Sequence, residues 1–231
     1  LQEAGITPDG VAGFSLGEVP ALAFAKAYTP LDGFRIACTR GAAMGKAAKE
    51  NPAAMVAVMK MENSAVEALC ENYENVFPVN YNGPGQLVVA GKKEELDEFG
   101  KEVKAAGGRC LPVAVGGGFH SPFMNDASVA FAQGAKAVSM QKPEIVVYSN
   151  YTTKPYTENV LDLMEKQINH SLRWQESIEN MAKDGFDIFI EVGVGTTLKK
   201  LISRILPDSK VFAVSNMEEA RQVAEEVHKI C

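Results

Sequence analysis

Histidine and cysteine are scarce in this 231-residue sequence: three of the first and four of the second. Cys38, Cys70, Cys110 and Cys231 lie far apart and form no CxxC pair, which argues against a structural zinc site. Reduced thiols in a cytosolic protein are the expectation. Positive charge is also in short supply. Lys and Arg number 23 against 29 Asp and Glu, a formal net charge of -6. Neutralising phosphates needs clustered cations, so a broad nucleic-acid face is excluded, while a locally basic docking patch is not. No uninterrupted apolar run is long enough to span a bilayer, and no basic-then-apolar leader opens the chain. A cytoplasmic location follows by default, with neither membrane nor nucleic acid as partner.

What is present is ordinary for a soluble globular chain: 46% apolar and 23% charged residues, enough for one substantial core with a small lobe attached. The start is unusual. Leu1 to Gly5 reads as the last turn of a helix with Gly5 as its C-cap, so the N-terminal part of the domain is expected to lie outside this sequence.

Two rhythms alternate along the chain. Asp9–Phe14 suits a short buried strand, and helical stretches follow at Glu18–Ala27 and Leu31–Ala48. From Ala54 to Val115 the order becomes β-α-β-β-α-β, with Asn82-Gly83-Pro84-Gly85 as the turn between its middle strands. That is the ferredoxin-like pattern, and residues 54–115 are read as a small inserted lobe. Strands at Ile145–Ser149, Ile188–Val192 and Val211–Val214 then alternate with helices, which implies a mostly parallel sheet covered on both faces. The fold class is α/β, with residues 1–53 and 116–231 forming the large domain.

Gly13-Phe14-Ser15-Leu16-Gly17 follows a strand and opens a helix, the nucleophile-elbow arrangement of G-x-S-x-G. Its glycines are expected to permit the sharp turn, because a Cβ there would clash. The serine hydroxyl then projects above the sheet, and the helix N-terminus offers amide donors to an oxyanion. A serine needs a base. His228 sits near the C-terminus in a charged helix and should face solvent; His170 reads as a helix-end or surface residue. His120 follows Gly116-Gly117-Gly118 at the end of a strand, where open α/β sheets collect their sites, and is the expected base. No acid stands out as third member. Asp126, Asp184, Asp187 and a backbone carbonyl all remain open, since the ring needs only an acceptor for its other N–H. Arg40, 25 residues after Ser15, could return over the sheet and bind a substrate carboxylate, or be a surface arginine paired with an acid.

Six boxes, in order and over the full length, resemble the malonyl-CoA:acyl-carrier-protein transacylase family. Gly13-Phe14-Ser15-Leu16-Gly17-Glu18 is similar to its GHSLGE box, and Thr39 to Met44 to its R-G-x-x-M helix. Asn82 to Gln86 resembles N-x-P-G-Q, and Phe119 to Met124 matches F-H-S-P-x-M. Gln167-Ile168 with Arg173-Trp174 resembles Q-L-x-x-x-x-R-W, and Glu191 to Gly195 looks like E-V-G-P-G. The resemblance implies an α/β-hydrolase-like large domain with a ferredoxin-like insert. It also implies a malonyl-serine intermediate on Ser15, His120 as base, and a main-chain carbonyl near Gln167 orienting the imidazole. Arg40 would hold the malonate carboxylate, Leu16 supply an oxyanion amide, Phe119 select malonyl units and Asn82 contact substrate. Malonyl-CoA and acyl carrier protein are the implied partners, in fatty acid biosynthesis, with no cofactor and no metal.

Three departures are visible. Phe14 stands where the family carries histidine, a neighbour that the resemblance implies points away from the thioester. Val194 replaces a proline, and nothing in the sequence accounts for it. The family's Gly-Gln-Gly-type loop, source of a second oxyanion donor, has no counterpart here. A serine hydrolase or thioesterase, a non-catalytic carrier-binding remnant, and an acyltransferase serving a polyketide synthase are the rival readings. Lys199, Lys200 and Arg204 are the expected basic patch for an acidic carrier protein.

Overall fold

The computed structural model describes residues 1–230; Cys231 lies outside the described residues. The chain opens with a single 3-10 turn at Gln2–Ala4, closed by Gly5 in the left-handed region at φ 79°. Strand β1 covers Gly10–Ala12, shorter than the apolar run because the backbone turns at Gly13 into a 3-10 turn at Ser15–Gly17. Helix α1 (Glu18–Phe24) follows directly. Helix α2 (Pro30–Glu50) begins with Pro30 at its first position and Thr29 as cap, whose Oγ1 accepts the Asp32 N–H at 3.1 Å. Its buried stripe is Gly33, Ile36, Arg40, Met44 and Ala47, the spacing of one helical face. An arginine in the middle of an apolar stripe is the local anomaly that the fold must explain.

Strand β2 (Ala54–Met59), helix α3 (Asn63–Cys70), strands β3 (Val76–Gly83) and β4 (Gln86–Gly91), helix α4 (Lys93–Ala105) and strand β5 (Arg109–Pro112) follow. They build a four-stranded antiparallel sheet of order β3-β4-β2-β5, the ferredoxin-like order. Alternation gives the sheet two apolar faces. One packs Val58, Leu87 and Val89 against Val66, Cys70, Leu96, Phe99 and Val103 of the two helices. The other gathers Met55, Val79, Val88 and Ala90 with Val113 and Phe119 from the segment leading back to the large lobe. A second tie joins the lobes through the main chain: Tyr81 N–H donates to Leu172 O at 2.9 Å, and Leu172 N–H to Val79 O at 2.7 Å.

The large lobe resumes with α5 (Asn125–Ala135), β6 (Val146–Tyr148), α6 (Val160–Asn169), α7 (Trp174–Lys183), β7 (Ile188–Val192), α8 (Thr197–Ile205), β8 (Lys210–Val214) and α9 (Met217–His228). Its strands are parallel, as expected, but as two pairs, β1–β6 and β7–β8, rather than one continuous ladder. Side chains join the pairs instead: Ala12, Phe14, Tyr148 and Phe186 share a cluster with Trp174, Phe189 and Leu201. Helices α2, α5 and α6 close the other side over Leu22, Ile36, Met124, Phe131, Val147 and Ile168. Among the described residues no helix is long and apolar enough to cross a membrane.

Candidate active site

The elbow is sterically defined. A Cβ at Gly13 would lie 2.0 Å from the main chain of Gly17, so only glycine fits. At Gly17 a Cβ would meet nothing within 4 Å, and its φ is -62°. The expectation of two sterically required glycines therefore holds at the first position and fails at the second: Gly17 supplies the backbone that crowds Gly13. Ser15 is held at φ 53°, a conformation that costs a non-glycine residue about 1–3 kcal/mol and persists only where the surroundings impose it.

Four side chains converge on Ser15, those of His120, Arg40, Gln167 and Asn150. Its Oγ lies 2.7 Å from His120 Nε2. The ring's other nitrogen, Nδ1, lies 2.7 Å from the main-chain oxygen of Gln167. A carbonyl can only accept, so Nδ1 carries the proton and Nε2 is left as acceptor for the serine hydroxyl. Arg40 Nη2–H donates to Ser15 Oγ at 3.1 Å and to Gln167 Oε1 at 3.0 Å. Gln167 Nε2–H donates to Ser15 O at 2.9 Å. Asp126, Asp184 and Asp187, open from sequence as third member, are all exposed, and Asp184 accepts instead from the Tyr148 hydroxyl.

The glycine loop before His120 is a close-approach device. A Cβ at Gly117 would sit 2.6 Å from that of Ala48 on α2, so the loop lies directly on the helix that carries Arg40. His120 itself adopts φ 61° and is 3% exposed. Burial pushes its pKa down to about 4, helped by the nearby Arg40 charge and opposed by the Gln167 carbonyl. The imidazole is therefore neutral across the physiological range, with Nε2 free to accept a proton. Arg40 is 6% exposed, and among the described residues no carboxylate lies within ion-pair distance of it. Its hydrogen-bond partners are neutral, so a buried guanidinium faces Ser15 with no ion-pair contact, and Glu18 acts on it only from beyond that distance.

Behind the elbow lies a second polar layer that the sequence reading left without a role. Glu18 and Asn150 are fully buried. Glu18 accepts from Asn150 N–H at 2.8 Å and from the Tyr156 hydroxyl. Burial pushes the Glu18 pKa up to about 7, against the lowering influence of these donors and of Arg40. The sequence signals for this layer are Glu18, which closes the Gly13–Glu18 box, and Ser149-Asn150, two polar residues directly after the apolar run that forms β6.

The match to the acyl transferase domain family extends over residues 1–226. The chain belongs to that family. This acyltransferase is 33% identical over 226 residues to a malonyl CoA-acyl carrier protein transacylase of Haemophilus influenzae, covering 95% of this chain and 72% of that one. It is 36% identical to a polyketide biosynthesis malonyl CoA-acyl carrier protein transacylase of Bacillus subtilis, over 92% of this chain and 74% of the relative. Among solved structures, a malonyl CoA-acyl carrier protein transacylase of Clostridium perfringens superposes with a TM-score of 0.95 at 28% identity, over 100% of this chain and 74% of that one.

The remaining predicted positions of the acyltransferase are spread over both lobes. Leu16 follows Ser15 and is 53% exposed. Its N–H finds no acceptor among the described residues, whereas Ser15 N–H is taken by Asn150. Phe119 is half-buried between the two lobes. Asn82, the last residue but one of β3, is buried and has its Oδ1 without a partner among the described residues. Phe14 turns its ring edge-on to Trp174, 5.5 Å between centroids, and so joins the α7 core. His170 is exposed with Nδ1 against Lys166 O, and exposed His228 reaches Ala4 O, so neither approaches Ser15. Val194 is fully exposed, and nothing in the structure explains it.

Proposed function

We propose that this acyltransferase moves a malonyl group from malonyl-CoA to the phosphopantetheine thiol of acyl carrier protein, through a malonyl-Ser15 intermediate, in fatty acid biosynthesis. The observation that carries the reading is Arg40. A buried cation 3.1 Å from the nucleophile, with no carboxylate in ion-pair contact, suits a substrate that brings one. A hydrolase of simple esters has no use for it.

In this mechanism Ser15 Oγ attacks the thioester carbonyl while His120 Nε2 takes the hydroxyl proton. Gln167 O, holding Nδ1–H, stabilises the imidazolium that forms. The oxyanion is received by the Leu16 N–H at the start of the elbow turn. Collapse breaks the C–S bond, and His120 returns the proton to the leaving thiolate. The carrier thiol then attacks malonyl-Ser15 with the same proton traffic, which restores the free serine. Asn82 Oδ1, buried and unpartnered, is an acceptor available to an amide of the pantetheine arm. Phe119 bounds the acyl end between the lobes. Residues 54–115 act as an inserted unit on a large domain of residues 1–53 and 116–231, in a cytoplasmic protein.

Intact-protein mass after incubation with malonyl-CoA tests this directly. An adduct absent in Ser15→Ala and discharged by carrier protein supports transfer. Discharge by water at the same rate with and without carrier protein would mean a hydrolase.

A further inference from the structure

The β1–β6 ladder ends at the pair Ala12 and Tyr148. Asn150 stands two residues beyond it, and its side-chain amide does what another strand residue would do. Oδ1 accepts the Ser15 N–H at 2.8 Å, and Nδ2–H donates to Gly13 O at 2.8 Å. The sheet's hydrogen bonding thus continues past the last strand residue, across the point where the backbone turns left-handed. A backbone segment could not follow that turn, because its donors and acceptors are fixed at strand spacing; a planar amide can bridge it.

Asn150 is itself immobilised at both main-chain groups. Its N–H goes to Glu18 Oε2 at 2.8 Å, and its carbonyl accepts the Arg173 N–H at 2.9 Å. Glu18 is fixed in turn by the Tyr156 hydroxyl. The ionisable groups around this layer are Glu18 and Tyr28 from the α1 side, Tyr156, Arg40 from α2, and His120 across Ser15. None of the chemical steps proposed for Ser15 uses Asn150, Glu18 or Tyr156.

We infer that Asn150 is a positioning residue for the nucleophile: it holds Ser15 in its strained conformation with Oγ between His120 and Arg40, and Glu18 with Tyr156 holds Asn150. The inference rests on Ser15 being the acylated residue. The bridge requires a group that accepts and donates at once. A neutral amide or a protonated carboxylic acid qualifies; an ionised carboxylate does not, because it has nothing to give Gly13 O. The staple also takes Ser15 N–H out of use as an oxyanion donor and leaves that task to the next amide, Leu16.

The test is the single-turnover rate of malonyl transfer from malonyl-CoA to the protein, read by intact mass from about pH 5 to about pH 9, with melting temperature recorded at each pH. His120 stays neutral over this range and Glu18 titrates near 7, so each variant's rate is read as its ratio to wild type at the same pH. Asn150→Asp should load at close to the wild-type rate at the acid end. Relative to wild type at the same pH, it should then lose about 10-fold or more as the introduced carboxyl ionises, a loss beyond any that the ionisation of Glu18 causes in both proteins. Asn150→Ala should be slower by about 10- to 100-fold at every pH, with the KM for malonyl-CoA unchanged, as expected when about 1–3 kcal/mol of conformational restraint is lost. If Asn150→Ala does not fold, the Asp variant decides alone. Wild-type rates in Asn150→Asp at every pH overturn the inference. So does a deficit confined to the fraction of protein that loads, because a purely structural role lowers that fraction and not the rate. No adduct on the wild-type chain removes the inference together with the functional reading.

Discussion

His120 Nδ1 donates to the main-chain oxygen of Gln167 at 2.7 Å, and the side chain of the same Gln167 receives Arg40 and holds the carbonyl of Ser15. One residue therefore orients the base through its backbone and the cation through its amide. A peptide carbonyl cannot ionise, so the tautomer of His120 does not depend on the titration of a third acid.

The pH dependence of loading follows from the burial of His120. The base form dominates above its pKa of about 4, so the malonylation rate should climb through that pH and level off above it. An inflection at the ordinary histidine value of about 6.5 would show that the ring is solvated when it acts. Replacing His120 by alanine should lower the rate by about 10²–10⁴.

Arg40→Ala should separate carboxylate recognition from chemistry. Loss of a charge-assisted contact of about 1.5–3 kcal/mol should reduce malonyl loading about 10- to 100-fold. Acetyl-CoA, which has no distal carboxylate, should be affected less. Equal losses for both thioesters, measured as kcat/KM, would mean that the guanidinium acts on Ser15 rather than on the substrate.

Glu18→Gln should change how stability depends on pH. The folded-state pKa of Glu18 is raised from 4.5 to about 7, so its contribution is fully present below pH 4.5 and lost as pH rises through about 7. Glutamine keeps an acceptor for Asn150 N–H and a donor for the Tyr156 oxygen but cannot ionise. Relative to wild type, the variant should gain on the order of 3 kcal/mol between the acid and alkaline ends of that window. Melting curves at both ends check it, and parallel curves for the two proteins would contradict it.

Lys200 and Arg204 are exposed one turn apart on α8, and Arg204 also donates to Gln86 on the inserted sheet. Reversing both charges should raise the KM for acyl carrier protein several-fold and leave that for malonyl-CoA alone, with the effect shrinking at high salt. An unchanged carrier KM places the docking surface elsewhere. Lys199 is half-buried and its N–H caps onto Glu191, so it contributes less to this face than its place in the sequence implied.

The sequence by itself determined the element order, the ferredoxin-like insert, and Ser15 and His120 as the pair to look for, which the fold brings to 2.7 Å. These are written in short-range patterns: apolar periodicity, a strand-to-helix turn with a required glycine at Gly13, and only three histidines to choose among. Tertiary structure alone decided what surrounds them. Ser15 and Asn150 are separated by 135 residues and Arg40 and Gln167 by 127, and no local pattern encodes such pairings. Whether Arg40 was a surface arginine or a buried cation beside Ser15 depended on which side of α2 meets the sheet. Whether the third partner of His120 was an aspartate or a carbonyl depended on where α6 ends. A main-chain oxygen is present at every residue, so its selection leaves no mark in the sequence; only the packing of α6 against the elbow brings that of Gln167 to the ring.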